Sequence, residues 1–190
     1  PIDANIIGIS ISFKTGEGFY ITRSILDGSK ELRDLIESNS VAKIGHNMKY
    51  DFLTFSNAGI NLNPLSFDTM IASYVLNAGV RQHGLDSLIF NELGYQMQSI
   101  EELIGKGRNQ ISMAEVDEEK VSWYAAEDAD MTLRLKEIFE PQLKKEELEK
   151  IFYDIEMPLV EVLASMERSG VKLDIGLLEK LADQAQKEIA

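Results

Sequence analysis

Apolar and polar side chains alternate over residues 5–13 (NIIGISISF), with Ile7, Ile9, Ile11 and Phe13 on one face and Gly8, Ser10 and Ser12 on the other. A period of two predicts a half-buried strand. Residues 14–17 (KTGE) read as a turn, and residues 18–22 as the returning strand of a hairpin. Leu32, Leu35 and Ile36 have helical spacing over residues 30–38, and the short apolar run 41–45 predicts a buried strand. The chain beyond is helical in pattern, with breaks at 59–64, 77–84, 94–95 and 105–110. Ser112 and Glu115 have the spacing of a capping box, which predicts a helix start there, and an amphipathic helix follows over 118–139. From residue 151 the pattern is purely helical. Pro158 stands inside or at the start of one helix, Gly170 closes it, and residues 171–174 lead to a last helix. Strands first and helices afterwards predict an α/β domain with a small mixed sheet over residues 1–150, and a helical segment over 151–190.

Two segments could carry chemistry. In KIGHNMKYD (residues 43–51) a strand ends at Gly45 and a helix starts near Asn47, so Asn47, Tyr50 and Asp51 share one helical face. Met48, Phe52 and Phe55 take another face, toward the core. A carboxylate at the end of a sheet suits a metal; equally, Asn47 caps the helix and Asp51 is a solvated first-turn charge. In WYAAEDAD (residues 123–130) the inward stripe of the long helix is Val121, Tyr124, Ala125, Asp128, Thr132 and Leu135. Asp128 therefore stands in a packing face, where an unpaired charge is costly. A metal, a buried ion pair or a retained proton would each compensate it. Glu127 and Asp130 fall to the sides and are expected to be solvated.

Composition narrows the chemistry. The chain has no Cys and two His, His46 and His83, which excludes disulfides and thiolate metal sites and disfavours zinc. Any metal would be held by carboxylates, which points to Mg²⁺ or Mn²⁺. No apolar run approaches the ~20 residues of a membrane span, so a soluble protein is expected, and the lack of Cys fits the cytoplasm. The start at Pro1, with neither an initiator Met nor a secretion signal, suggests a piece of a longer chain. With 19 basic and 32 acidic residues the net charge is −13, whereas a stand-alone DNA-binding module is normally basic. A neighbouring domain or bound cations would reconcile the two. Arg81, Lys106 and Arg108 lie in loops, where they could contact phosphates or simply be solvated. Gly105-Lys106-Gly107 lacks the spacing of a P-loop.

KIGHNMKYD resembles the second exonuclease motif of bacterial family A DNA polymerases (the polymerase I family), with its Asn-x-x-x-Asp core at Asn47 and Asp51. YAAEDAD resembles the third motif, with its Tyr-x-x-x-Asp core at Tyr124 and Asp128. Residues 67–79 (FDTMIASYVLNAG), 85–88 (LDSL) and 105–110 (GKGRNQ) match the same family in type and order, and residues 155–174 resemble its junction into the polymerase domain. The resemblance covers essentially the whole chain. It implies an RNase H-like (DEDD exonuclease, Tyr branch) fold, a small mixed sheet flanked by helices, and C-terminal helices leading to a polymerase domain. The implied activity is proofreading: two-metal hydrolysis of the 3′-terminal phosphodiester of single-stranded DNA. By carry-over, Asp128 and Asp51 hold metals, Tyr124 orients the attacking water, and Asn47 braces the site. Asn47, Tyr50, Arg81, Lys106 and Arg108 are then the candidates for contact with DNA.

The sequence departs from the family at one point. The first motif, Asp-x-Glu on the central strand, does not precede residue 5; only Asp3 does. Without that strand the hairpin and the 41–45 strand lose their shared neighbour and strand edges are exposed; the 190 residues alone are expected to bind metal weakly or not at all and to be inactive. The alternative is an exonuclease-like platform for a polymerase, with no hydrolysis at all.

Overall fold

The computed structural model describes residues 4–189; Asp3, the one acid before the first strand, lies outside them. Strand β1 (Gly8–Lys14) pairs antiparallel with β2 (Glu17–Thr22), with Ile9 opposite Ile21 and Lys14 opposite Glu17. Of the predicted apolar stripe, Ile9 is buried while Ile7 is 37% and Phe13 69% exposed, because among the described residues no third strand lies beside β1. Helices α1 (Arg23–Gly28) and α2 (Lys30–Glu37) follow, α2 capped by the Ser29 hydroxyl. Strand β3 (Lys43–Gly45) leads into α3 (Met48–Asn57), and β4 (Leu65–Asp68) returns parallel to β3 with Gly45 opposite Asp68. The periodicity hides β4: four residues are too few to show a pattern, and Phe67 and Asp68 are both 1% exposed.

Helices α4 (Thr69–Leu76), α5 (Leu85–Leu93) and α6 (Ile100–Ile104) come next. The capping box at Ser112 and Glu115 is present, but it closes a single 3₁₀ turn, Met113–Glu115. The long helix α7 (Glu118–Lys145) has its own cap, Asp117, which accepts from the Glu119 amide at 3.1 Å. It passes the expected end at 139 and continues through Pro141. A proline removes one helical hydrogen bond, but Phe139 and Leu143 flank it with no exposed surface, and their burial offsets that loss. Helix α8 (Glu149–Ile151) runs through a π turn (Phe152–Glu156) into α9 (Met157–Ser169), which Gly170 ends at φ 66°. Helix α10 (Ile175–Ile189) buries no residue.

One core gathers Phe67, Ala72, Ile89, Leu135, Phe139, Leu143, Phe152 and Met157 between β4, α4, α5, α7 and the π turn. A smaller one holds Ile6, Ile9, Leu26, Ile36, Ile60 and Leu62 beneath β1. Among the described residues the two two-stranded sheets share no ladder. What joins them is α7, which packs on β1, β2 and β3. At the hairpin tip the Gly16 amide donates to Asp130 at 2.6 Å, and the Thr15 hydroxyl donates to Glu137 at 3.1 Å.

Candidate functional site

The site is built on two helices. β3 and β4 end side by side, so the turns leading into α3 and α4 are neighbours. The Thr69 hydroxyl donates to the Gly45 carbonyl at 3.2 Å. His46 Nδ1 and Thr69 Oγ1 are hydrogen-bonded at 2.9 Å, which holds the imidazole against the start of α4. Burial pushes the imidazole down from its ordinary pKa, against the pull of nearby Asp68 and Asp86. Asn47 sits at φ 62°, ψ 47°, the left-handed region, and its side chain makes no cap bond, so it is not the helix cap that spacing alone allowed. One turn into α3, Asp51 is pushed from the ordinary 3.8 up to about 7, first by burial and second by the Asp68 carboxylate. It is therefore not a freely solvated first-turn charge. Tyr50, beside it, is 46% exposed.

The second half lies on α7. The Tyr124 hydroxyl donates to the Asp128 carboxylate one turn on. Burial pushes Asp128 up to about 7; the Tyr124 hydroxyl opposes that, and Glu127 and Asp86 add to it. The phenol is itself pushed well above its ordinary value, first by burial and then by Asp128. No Lys or Arg among the described residues pairs with Asp51 or Asp128. Neither aspartate is among the causes of the other's shift. Asp86, in the first turn of α5, acts on His46, Tyr124 and Asp128, and so links the α3 side to the α7 side.

Two expectations are corrected. Asp130 is 8% exposed, not solvated: it accepts from Gly16 and is held by the Arg134 guanidinium at 2.9 Å. Glu127 accepts from the Tyr95 hydroxyl at 2.7 Å and from the Gln98 amide at 3.0 Å, tying the loop after α5 to the turn that carries Asp128. Both side chains serve the packing of α7 against non-local segments, which a single-helix pattern cannot show. Arg81 and Arg108 are exposed, and Lys106 pairs with Glu101. None of the three bonds to α3 or α7 among the described residues. The sequence reading passed over Asp68, whose signal was an Asp just before an apolar helix, the usual mark of an N-cap.

Residues 1–144 match the family model of the 3′-5′ exonuclease. The chain belongs to the 3′-5′ exonuclease family. Among curated relatives of this exonuclease chain, DNA polymerase I of Chloroflexus aurantiacus is 38% identical over all of it and 21% of the relative. DNA polymerase I of Pseudomonas aeruginosa is 36% identical over 92% of the chain and 21% of the relative. The chain thus spans about a fifth of the length of these relatives. The structure described as "POL domain of Pol1 from M. smegmatis complex with DNA primer-template and dNTP" aligns with a TM-score of 0.75 at 20% identity, covering 97% of this chain and 31% of that one. Brucella melitensis NrnC with bound Mg²⁺ aligns at 0.57 and 23% identity, covering 77% and 69%. The likeness carries the fold: α/β, RNase H-like. No helix among the described residues is long and apolar enough to cross a membrane.

Proposed function

We propose that this exonuclease chain is the proofreading domain of a cytoplasmic DNA polymerase I, removing 3′-terminal nucleotides from single-stranded DNA. The observation that carries the reading is Asp128: a carboxylate pushed up to about 7 by burial, with a Tyr hydroxyl and no cation beside it. Asp51 on α3 is likewise pushed up to about 7, by burial first and the Asp68 carboxylate second. Carboxylate oxygens suit Mg²⁺ or Mn²⁺; among the described residues no three His, Asp or Glu side chains gather to hold an ion, so it is with the family's Asp-x-Glu strand in place that a cation beside each aspartate would pull it back into the ionised form. When bound, the metals would polarise the scissile phosphodiester and lower the pKa of water. Asp128 and Asp51 would hold them. Tyr124, kept neutral and aimed by Asp128, would orient the attacking water. The Asn47 amide and Tyr50, with Arg81, Lys106 and Arg108 farther out, would bind the DNA strand.

Two carboxylates are half of the family's set. The family's Asp-x-Glu strand would lie between β1 and β3, whose ladders do not meet, and bring the other half. The apolar side chains of α10, with Leu177, Leu178 and Leu181 at least half exposed, would face the polymerase domain that follows in the relatives.

The test uses a 5′-labelled single-stranded oligonucleotide with Mg²⁺ or Mn²⁺. The 190 residues alone are expected to leave it intact. The chain extended at its N-terminus by a strand carrying Asp-x-Glu is expected to shorten it stepwise from the 3′ end. An extended protein that folds but does not trim would replace the editing role by that of a silent platform. Asp128-dependent trimming by the 190 residues would show that two carboxylates suffice.

A further inference from the structure

Asp68 ends β4 with 1% of its surface exposed, and its carboxylate accepts from four backbone amides. Oδ1 takes those of Met70 (2.9 Å), Ile71 (3.3 Å) and Asn47 (3.1 Å), and Oδ2 takes that of Met48 (2.7 Å). The first two are ordinary N-cap bonds within α4. The other two belong to α3, more than five helical turns of sequence away, and reach Asp68 because Gly45 and Asp68 are paired across β3 and β4. Asn47 occupies the N-cap position of α3 but caps nothing. A non-glycine residue in the left-handed region is strained, and charge-assisted bonds to its own amide and to the next one hold the turn in that shape.

We propose that Asp68 is a positioning residue for the α3 side of the site: it caps α3 from a neighbouring strand, releases the Asn47 side chain from capping, and fixes the turn from which Asp51 projects. The role rests on the nuclease reading of Asn47 and Asp51; the cap does not. Asp51 stands in the first turn of α3, just beyond the Met48 amide that Asp68 holds.

Asp68→Ser separates the two jobs. A Ser hydroxyl still caps α4, but it is too short and has too few acceptors to serve Asn47 and Met48 as well. Amide exchange followed by NMR on the whole chain is expected to show Asn47 and Met48 released by roughly tenfold or more, with Met70 and Ile71 within about threefold of wild type. In the chain extended by the Asp-x-Glu strand, the Mn²⁺ concentration that half-broadens the Asp51 resonances is expected to rise about tenfold, the usual effect of losing a residue that orients a ligand. Asp68→Asn, nearly the same shape, keeps the three Oδ1 bonds and turns an NH₂ toward Met48, so Met48 alone is expected to be released. Unchanged protection at Asn47 and Met48, or release of all four amides together in both variants, would overturn the cap. Selective release with unchanged Mn²⁺ affinity would overturn the positioning role. If wild-type Asp51 shows no Mn²⁺ broadening at all even in the extended chain, the metal reading is refuted and the positioning role with it, while selective amide release in Asp68→Ser leaves the cap standing.

Discussion

With the family's Asp-x-Glu strand supplied, Asp128→Asn is expected to lower Mn²⁺-dependent trimming on the order of a hundred- to a thousandfold, yet to stabilise the metal-free chain at pH 8. Both effects have one cause. Burial raises the Asp128 and Asp51 carboxyls from 3.8 to about 7, so between those values the folded chain holds protons that the unfolded chain releases. These two groups therefore favour folding most fully below about pH 4, and that contribution is lost as pH rises through 7. The metal-free protein should become less stable from pH 5 to pH 8, the reverse of the trend given by salt-bridged carboxylates. An amide carries no charge to desolvate, so Asp128→Asn should recover on the order of 2 kcal/mol at pH 8, after allowance for partial exposure. For a chain of this size that is a rise of about 4–8 °C in Tm. Added Mn²⁺ should raise the Tm of the wild type and do so less in the variant. A Tm that climbs with pH between 5 and 8, or a variant less stable than wild type at pH 8, would mean that these carboxyls are already compensated.

The second large effect concerns Gly18 in β2. A Cβ at this position would lie 2.3 Å from the Ala126 carbonyl oxygen, 2.8 Å from its carbon and 3.0 Å from its Cα. The obstacle is helix backbone, which cannot swing aside as a side-chain tip can. Gly18→Ala is expected to destabilise the chain by about 3 kcal/mol and Gly18→Val by more, read as a fall in the urea midpoint at constant slope. Ala126 lies between Tyr124 and Asp128, so relief of the clash would shift the turn of α7 that carries both. A midpoint unchanged by Gly18→Ala would show that strand and helix stand farther apart than this.

The local elements were legible where periodicity ran long enough: the hairpin, α2, most of α7, and α9 with its glycine stop. Hidden were features made by partners remote in sequence. Four residues of β4 are invisible until β3 lies beside them. The helix over 118–139 runs on to Lys145 because Leu143, beyond Pro141, is buried. Asp130 and Glu127 look solvated on a helical wheel because their partners, Gly16 and Arg134 for one and Tyr95 and Gln98 for the other, belong largely to other segments. At the candidate site, Asn47, Asp51, Tyr124 and Asp128 could be picked out by motif. That Asp68 rather than Asn47 caps α3 could not, because it depends on the pairing of two strands.

The exonuclease family model matches only as far as residue 144, but the packing continues. Phe152 has no exposed surface, and Met157, Val160 and Ala164 are each 5% exposed or less; Phe152 stacks on Phe67 of β4 with ring centroids 4.7 Å apart. The end of that match and the point where the core is sealed are thus different points on the chain. A truncation at residue 144 would pull an aromatic plug from beneath β4 and leave the floor of the nuclease fold open to water.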